Sequence, residues 1–233
     1  MNAASPSPRP RWSPELIPRV AAPLREQVVQ LIRNAILRFE LQPGQRLVER
    51  ELVEQLGVSR PTIREVLRQL AAEGLVTVVP QRGAVVTALS AEDAADIYEM
   101  RASLEALAVQ RFVQRATPEH VARLRAAVDE IERTADSGDA LQQLQAKDHF
   151  YEVLLAGSGS APLQQTLSGL QARVQLLRAT SLSEPGRPAQ AATELRAVVD
   201  AVEAGDAEAA AAACVRHVQN AARTALARLT SDS

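Results

Sequence analysis

Arg60, Arg64 and Arg68 recur at every fourth position, which lines three guanidinium forks along one helix face and suits them to phosphates and to base edges in a DNA major groove. The same stripe is also what an ordinary solvated helix face carries. Further along, Lys147 is the single lysine in a chain with 25 arginines. Helical periodicity puts it on an inward stripe with Leu144, Tyr151 and Leu154, and puts Arg101 on another with Ile97, Leu104 and Ala108. Two cations inside a bundle require an anion, because an unpaired buried charge costs several kcal/mol. That anion is either a ligand carboxylate or a protein carboxylate such as Asp148 or Glu105, unless the lysine stem reaches the surface. Cys214 and His217 stand three apart on one helix, the spacing of a thiolate–imidazole pair. No orienting acid or oxyanion motif accompanies them, and a small buried cysteine beside a hydrogen-bonded core histidine has the same spacing.

The elements that position the arginines are legible. A helix from Glu49 to Leu56 stops at Gly57; Ser59 caps the next helix, with Pro61 in its first turn, where a missing N–H costs nothing. Ile63, Val66, Leu67 and Leu70 form its buried stripe opposite the arginines. Two β-rich runs, residues 75–79 and 84–88, joined by Pro80, Gln81, Arg82 and Gly83, make a hairpin wing. Upstream, a helix from Pro23 to near Phe39 carries the apolar stripe Leu24, Val28, Leu31, Ile32 and Ala35. The pattern predicts a winged helix-turn-helix over residues 18–89.

Beyond Ala88 the composition turns helical. Ser90 and Asp93 have capping-box spacing, and six helices are expected over roughly 91–115, 118–136, 139–157, 161–180, 190–204 and 206–229, with Ser181–Ala189 as a loop. The fold class is therefore mostly α: a winged helix followed by an all-helical bundle over 90–231. The net charge of −2 hides an asymmetry: residues 1–90 carry +4 and residues 91–233 carry −6, so only the front half suits a polyanion. One cysteine excludes an internal disulfide, and no stretch is apolar enough for a membrane span. Residues 1–17, rich in proline and serine, read as a disordered tail on a cytoplasmic protein.

The run from Glu49 to Val76 resembles the GntR family of bacterial winged-helix transcription factors, whose signature is similar to E-R-x-L-x-x-x-L-G-V-S-R-x-x-[VI]-R-E-x-L-x-x-L-x-x-E-G-L-V. Seventeen residues match, among them Arg50, Gly57, Ser59, Arg60, Arg64 and Gly74; where many members have Thr-Pro after the arginine, this chain has Pro61 and then Thr62. The resemblance implies a double-stranded operator, an inverted repeat read by a homodimer, with DNA contacts at Arg50, Ser59, Arg60, Thr62, Arg64 and Gly83. The second half resembles the FCD effector-sensing bundle of the FadR subfamily, on YEMRASLEALAVQRF (Tyr98–Phe112), FYEVLLAGSGSAPL (Phe150–Leu163) and the run from Glu194 to Ala221. Many FCD domains hold a divalent metal through an Asp and three His; the matching positions here are Lys147, Tyr151, Leu195 and His217. No metal site of the family type and no other cofactor is expected. Arg101 matches the FCD arginine that the resemblance implies for an effector carboxylate, and the expectation from the departing residues is that Lys147 takes the metal's place and, with Arg101, Tyr151 and His217, receives a small organic-acid effector. Two other readings stay open: a regulator whose bundle only dimerises, and a ligand carrier or enzyme built in the bundle.

Overall fold

Helix-forming and β-branched stretches segregate along the chain, and the structure divides between Ala88 and Leu89 into two units. The computed structural model describes residues 24–231; the tail expected over 1–17 and the helix start expected at Pro23 lie outside them.

In the first unit, α1 (Leu24–Leu37) buries Val28, Val29, Ile32, Ala35 and Ile36 and packs on α3. Leu24, expected on that stripe, is instead 51% exposed. The helix ends two residues before Phe39, which takes a positive φ of 57° and turns the chain. α2 (Glu49–Leu56) stops at Gly57, where a φ of 65° is open to a residue without Cβ. α3 (Arg60–Glu73) starts at Ser59, whose Oγ accepts a hydrogen bond from the Thr62 amide at 3.3 Å. Ile63, Val66, Leu67 and Leu70 are buried as the periodicity requires. β1 (Val76–Val79) and β2 (Gly83–Val86) pair antiparallel, with Val76 opposite Val86 and Val79 opposite Gly83. The segment before α2 adds a third edge: the Leu47 amide donates to the Ala84 carbonyl at 2.8 Å, and the Val86 amide to that of Gln45 at 2.9 Å.

The second unit contains α4 (Ala91–Arg115), α5 (Pro118–Ala135), α6 (Ala140–Gly157), α7 (Ala161–Leu182), α8 (Arg187–Glu203) and α9 (Ala207–Ser231). α4 packs chiefly on α9, α5 on α6 and α8, and α7 on α6 and α9. Side chains fix several starts. Ser90 Oγ accepts from the Asp93 amide at 3.0 Å and donates to the Asp93 carboxylate at 2.7 Å, while Asp139 accepts from the amides of Leu141 and Gln142. Gly157, expected only as a helix stop, serves close approach: a Cβ there would lie 2.2 Å from the Phe112 ring.

The loop expected over Ser181–Ala189 is much shorter. α7 runs to Leu182 and α8 begins at Arg187, because Pro188 falls in the first turn of α8, where its missing N–H is harmless. The correction matters chemically, since it places Arg187 in a helix, 2% exposed, rather than in a surface loop.

The bundle core is split. One apolar cluster includes Ala108, Val109 and Phe112 of α4, Phe150 and Leu154 of α6, and Cys214 of α9. The other includes Ile97 and Tyr98 of α4, Val174 and Leu177 of α7, and Val218 of α9. On α4 the residues between the two clusters include Arg101 and Glu105, and on α9 His217 falls between Cys214 and Val218. A polar layer interrupts the core there.

Candidate functional site

Two constellations carry the chemistry, one in each unit. On α3, Arg60, Arg64 and Arg68 are all exposed, opposite the buried stripe. Their states differ. Arg64 Nε donates to both oxygens of Glu49 on α2, at 3.0 and 3.2 Å, and Arg68 pairs with Glu65 one turn back. Arg60, at the first turn, has no ion-pair partner among the described residues. Arg50 lies 3.8 Å from Glu54 in a loose, exposed pair. Thr62 Oγ1 lies 2.8 Å from Ser59 Oγ, so with proline ahead of threonine the hydroxyl closes the cap. Gly83, at φ 81°, sits exposed at the end of the wing turn. Glu49 was missed by sequence reasoning as an arginine partner, because its contact with Arg64 spans the interhelical turn.

In the second unit, Arg101, Lys147, Tyr151 and His217 are all buried in one polar layer, at 0, 2, 5 and 0% exposure. They are joined there by Glu105, Arg178, Arg187, Glu194 and Asp148. The charges pair off in an ordered way. Arg101 Nε donates to Glu105 at 2.8 Å, Arg178 to Asp148 at 2.6 Å, and Arg187 to Glu194 at 2.8 Å. Three guanidiniums thus meet three carboxylates, and Lys147 is left over. It has no carboxylate within 4 Å among the described residues; its Nζ lies 3.4 Å from His217 Nε2. The two carboxylates named from sequence as candidate partners for Lys147 are thus held by arginines.

His217 is itself oriented. Its Nδ1 lies 2.6 Å from Glu194 Oε2, and Asn220 Nδ2 donates to the other Glu194 oxygen at 2.6 Å. Burial alone would raise the Glu194 pKa, but hydrogen bonds from His217, Arg187 and Asn220 outweigh it and hold the carboxyl down at about 2. Desolvation, with the neighbouring Lys147 charge, pushes His217 down to about 3 against the pull of Glu194. An ionised carboxylate facing a neutral imidazole assigns the proton to Nδ1, which leaves the Nε2 lone pair aimed at Lys147. Burial lowers the Lys147 pKa well below the usual lysine range, and Arg178, Arg187 and Arg101 add to the effect while Glu105 opposes it.

The layer also carries unused hydrogen-bonding capacity. Arg101 Nη1 and Nη2, Arg178 Nε, and Arg187 Nε and Nη1 are buried donors without a partner among the described residues, and Glu105 Oε2 is a buried acceptor without one, next to the Tyr151 hydroxyl that helps hold the Glu105 carboxyl down. Arg178 stacks over the Tyr151 ring at 3.9 Å and Arg101 over that of Tyr98 at 5.2 Å, so the guanidinium planes are fixed. A cleft of about 460 Å³ whose walls include Glu105, Asp148, Tyr151 and Arg178 connects this layer with the surface.

The divalent cation implied by the FCD resemblance does not fit these residues. Its carboxylate position holds the Lys147 ammonium or amine, which reaches the remaining imidazole, and buried Leu195 offers no donor atom. Among the described residues no three His, Cys, Asp or Glu side chains converge as a metal-binding group. Cys214 is buried, and desolvation pushes its thiol up, so it carries no thiolate to pair with His217. His149 is exposed beside Glu152, on the wall of the cleft rather than in the buried layer.

Sequence reasoning missed Arg178, Arg187 and Glu194. Arg178 was recoverable, since it lies one residue after Leu177 and four after Val174 on a buried stripe. Arg187 was hidden by the Pro-Gly-Arg-Pro run around it.

A winged helix-turn-helix with arginines on its second helix, followed in the same chain by a bundle with a polar interior, defines a DNA-binding regulator with a ligand-sensing domain. Comparison with known proteins names the family. Residues 24–86 match "Bacterial regulatory proteins, gntR family" and residues 96–220 match "FCD domain". The chain belongs to the GntR family of bacterial transcription regulators and carries the FCD effector-binding domain. Relatives include the HTH-type transcriptional repressor GlaR of Escherichia coli, 32% identical over 65% of this chain and 73% of that one. The Nta operon transcriptional regulator of Aminobacter aminovorans is 34% identical over 60% of this chain and 66% of its own. Among solved structures, E. coli McbR/YncC shares the fold, with a TM-score of 0.71 at 24% identity, over 91% of this chain and 99% of that one. No helix among the described residues is long and apolar enough to cross a membrane.

Proposed function

We propose that this regulator is a cytoplasmic homodimer that binds an inverted-repeat operator through α3 and the wing, and that a small organic anion in the α4–α9 bundle alters that binding. The observation that carries the effector reading is the imbalance in the polar layer. Three arginines are paired, yet five of their N–H-bearing nitrogens have no acceptor against one unsatisfied carboxylate oxygen, Glu105 Oε2, and Lys147 has no counter-ion. Unsatisfied buried donors cost about 1–3 kcal/mol each. A carboxylate ligand satisfies several at once and gives Lys147 its anion. Lys147 thereby does electrostatically what a metal does in other FCD domains. Arg101, Tyr151 and His217 complete the wall, with Arg178 and Arg187 beside them.

On the DNA side, Arg60 is ready to contact a phosphate or base directly, whereas Arg64 must exchange Glu49 for DNA. Arg50, Ser59, Thr62 and Gly83 stand exposed or half-buried and contribute backbone contacts. The relatives' names, two of which describe a repressor and an operon regulator, support control of transcription rather than catalysis.

A thermal-shift screen of mono- and dicarboxylic acids against zinc and manganese tests the effector reading. Mass action predicts a stabilisation of about 2.7 kcal/mol at a hundredfold excess of the right acid over its Kd. Stabilisation by a metal and by none of the acids would refute it.

A further inference from the structure

We propose that Lys147 is a covalent capture residue, whose side-chain amine condenses with the carbonyl carbon of a small oxo acid while the buried guanidiniums hold that acid's carboxylate. The inference rests on the anion-sensing reading above and narrows its ligand class from organic acids to acids that also carry a ketone or aldehyde.

The geometry is that of an activated nucleophile: nucleophile, base and orienting acid in a row. Lys147 Nζ lies 3.4 Å from His217 Nε2, and His217 Nδ1 lies 2.6 Å from Glu194 Oε2. Arg187 donates to that same Glu194 oxygen and Asn220 to the other, so the carboxylate is pinned. An ammonium could donate to the same imidazole lone pair, but the row also supplies what an amine that must lose protons needs, a base already held by an acid. Three guanidiniums around a desolvated lysine favour its uncharged, nucleophilic form, and the lowered Lys147 pKa agrees with the geometry. The unpartnered N–H groups of Arg101, Arg178 and Arg187 specify the other half of the ligand, because planar guanidinium forks match a carboxylate and not a neutral carbonyl. A short oxo acid presents both functions within a few bonds, and a cleft reaches the layer at Glu105, Tyr151 and Arg178, although Lys147 and His217 are not among its walls.

In the condensation, the Nζ lone pair forms a bond to the carbonyl carbon and the C=O π electrons move onto oxygen. His217 Nε2 relays a proton from nitrogen to that oxygen, giving a neutral carbinolamine. The nitrogen lone pair then forms C=N as the C–O bond breaks. The second N–H hydrogen joins the departing hydroxyl, so both hydrogens of the amine leave in one water. No oxidant, reductant or metal takes part, and hydrolysis reverses the step. The imine is a reversible, stoichiometric complex that holds the effector longer than charge pairing alone.

The chain offers a clean test, because Lys147 is its only lysine and the amino terminus is its only other primary amine. Full-length protein is incubated with glyoxylate, pyruvate, 2-oxobutyrate, 2-oxoglutarate or acetoacetate in the presence of sodium cyanoborohydride. Intact and peptide mass spectrometry then locate the reduced adduct. The expected result is one adduct per chain on Lys147 with at least one of these acids, forming faster than the terminal adduct by roughly a hundredfold or more, as positioned acid–base assistance provides. Lys147→Arg, which keeps a long nitrogen-bearing side chain but removes the nucleophilic amine, should leave only the terminal adduct. Adducts confined to the amino terminus, while lactate and malate stabilise the protein against heat as well as their oxo counterparts do, would overturn covalent capture and leave the anion-sensing reading standing. Neither adduct nor stabilisation by any of these acids would overturn both.

Discussion

A buried lysine whose neighbours are all spoken for behaves differently from one in an ion pair. Since Glu105 and Asp148 are held by Arg101 and Arg178, Lys147→Met orphans no carboxylate. It also removes an amine whose protonation burial and three neighbouring guanidiniums oppose. We therefore expect ligand-free Lys147→Met to be at least as stable as wild type in chemical denaturation, and to lose the stabilisation that organic acids give. Glu105→Gln is the contrasting variant: it leaves the fully buried Arg101 guanidinium uncompensated and should cost about 3–5 kcal/mol. Equal destabilisation by the two substitutions would contradict the pairing scheme. The same layer sets a pH dependence. The folded state holds His217 at about 3 while the unfolded chain protonates near 6.5, so below pH 6.5 the unfolded state binds the extra proton. Stability then falls on acidification, by up to about 1.4 kcal/mol per pH unit. Glu194, depressed from 4.5 to about 2, contributes stability that is lost below pH 4.5, in the same direction. Thermal melts should decline from pH 7 to pH 5, and His217→Gln should reduce that decline without abolishing it, because Lys147, lowered in the fold as well, loses stability on acidification in the same direction. An unchanged slope would mean that His217 titrates normally.

At the scale of elements, α3 makes a sharper prediction than its arginine spacing does. Arg60→Ala should weaken operator binding by about 1–3 kcal/mol if it reads a base, or by a uniform loss with a shallower salt dependence if it meets a phosphate. Arg64→Ala should cost less than the same contact made by a free arginine, because breaking the Glu49 pair is part of binding for wild type. Glu49→Gln should accordingly tighten binding, and anisotropy titrations of the three variants over a salt series would check the order. How much of this was legible varies by element for physical reasons. α2 and α3 carry their own caps, Gly57 and Ser59, and a stripe of period 3.6, all local signals. The start of α4 at Ser90 is similarly self-contained. The start of α8 was not legible, because Pro185, Gly186 and Pro188 read as a loop although Pro188 fits a first helical turn. Arg187 vanished from the expected site with it. Arg101, Lys147, Tyr151 and His217 were all recoverable as inward positions, and Glu105, four residues after Arg101 on the same helix, was within reach of the same spacing, but the partners on other helices were not. Which carboxylate meets which cation depends on helix–helix register, as in Arg178 with Asp148 across α6 and α7, and no periodicity within one helix encodes that.

Over the whole chain, charge divides the labour: the first 90 residues carry +4 and the remainder −6. The positive unit is fitted to approach DNA, and the negative one buries three arginines and a lysine among three carboxylates, the layer proposed above to receive a small anion. Two such chains related by a dyad would read an inverted repeat, and effector binding would count twice per operator. The central claim is that an anion at Lys147 is coupled to DNA affinity, and coupling of this kind typically amounts to about 1–3 kcal/mol, or roughly five- to 150-fold. The most direct measurement is the operator Kd of full-length protein, on a duplex selected from a random library, with and without the acid that stabilises it most. This account predicts a change of at least about fivefold for wild type and none for Lys147→Met. An operator affinity that responds to the acid equally in both proteins, or responds only to a divalent metal, would contradict it.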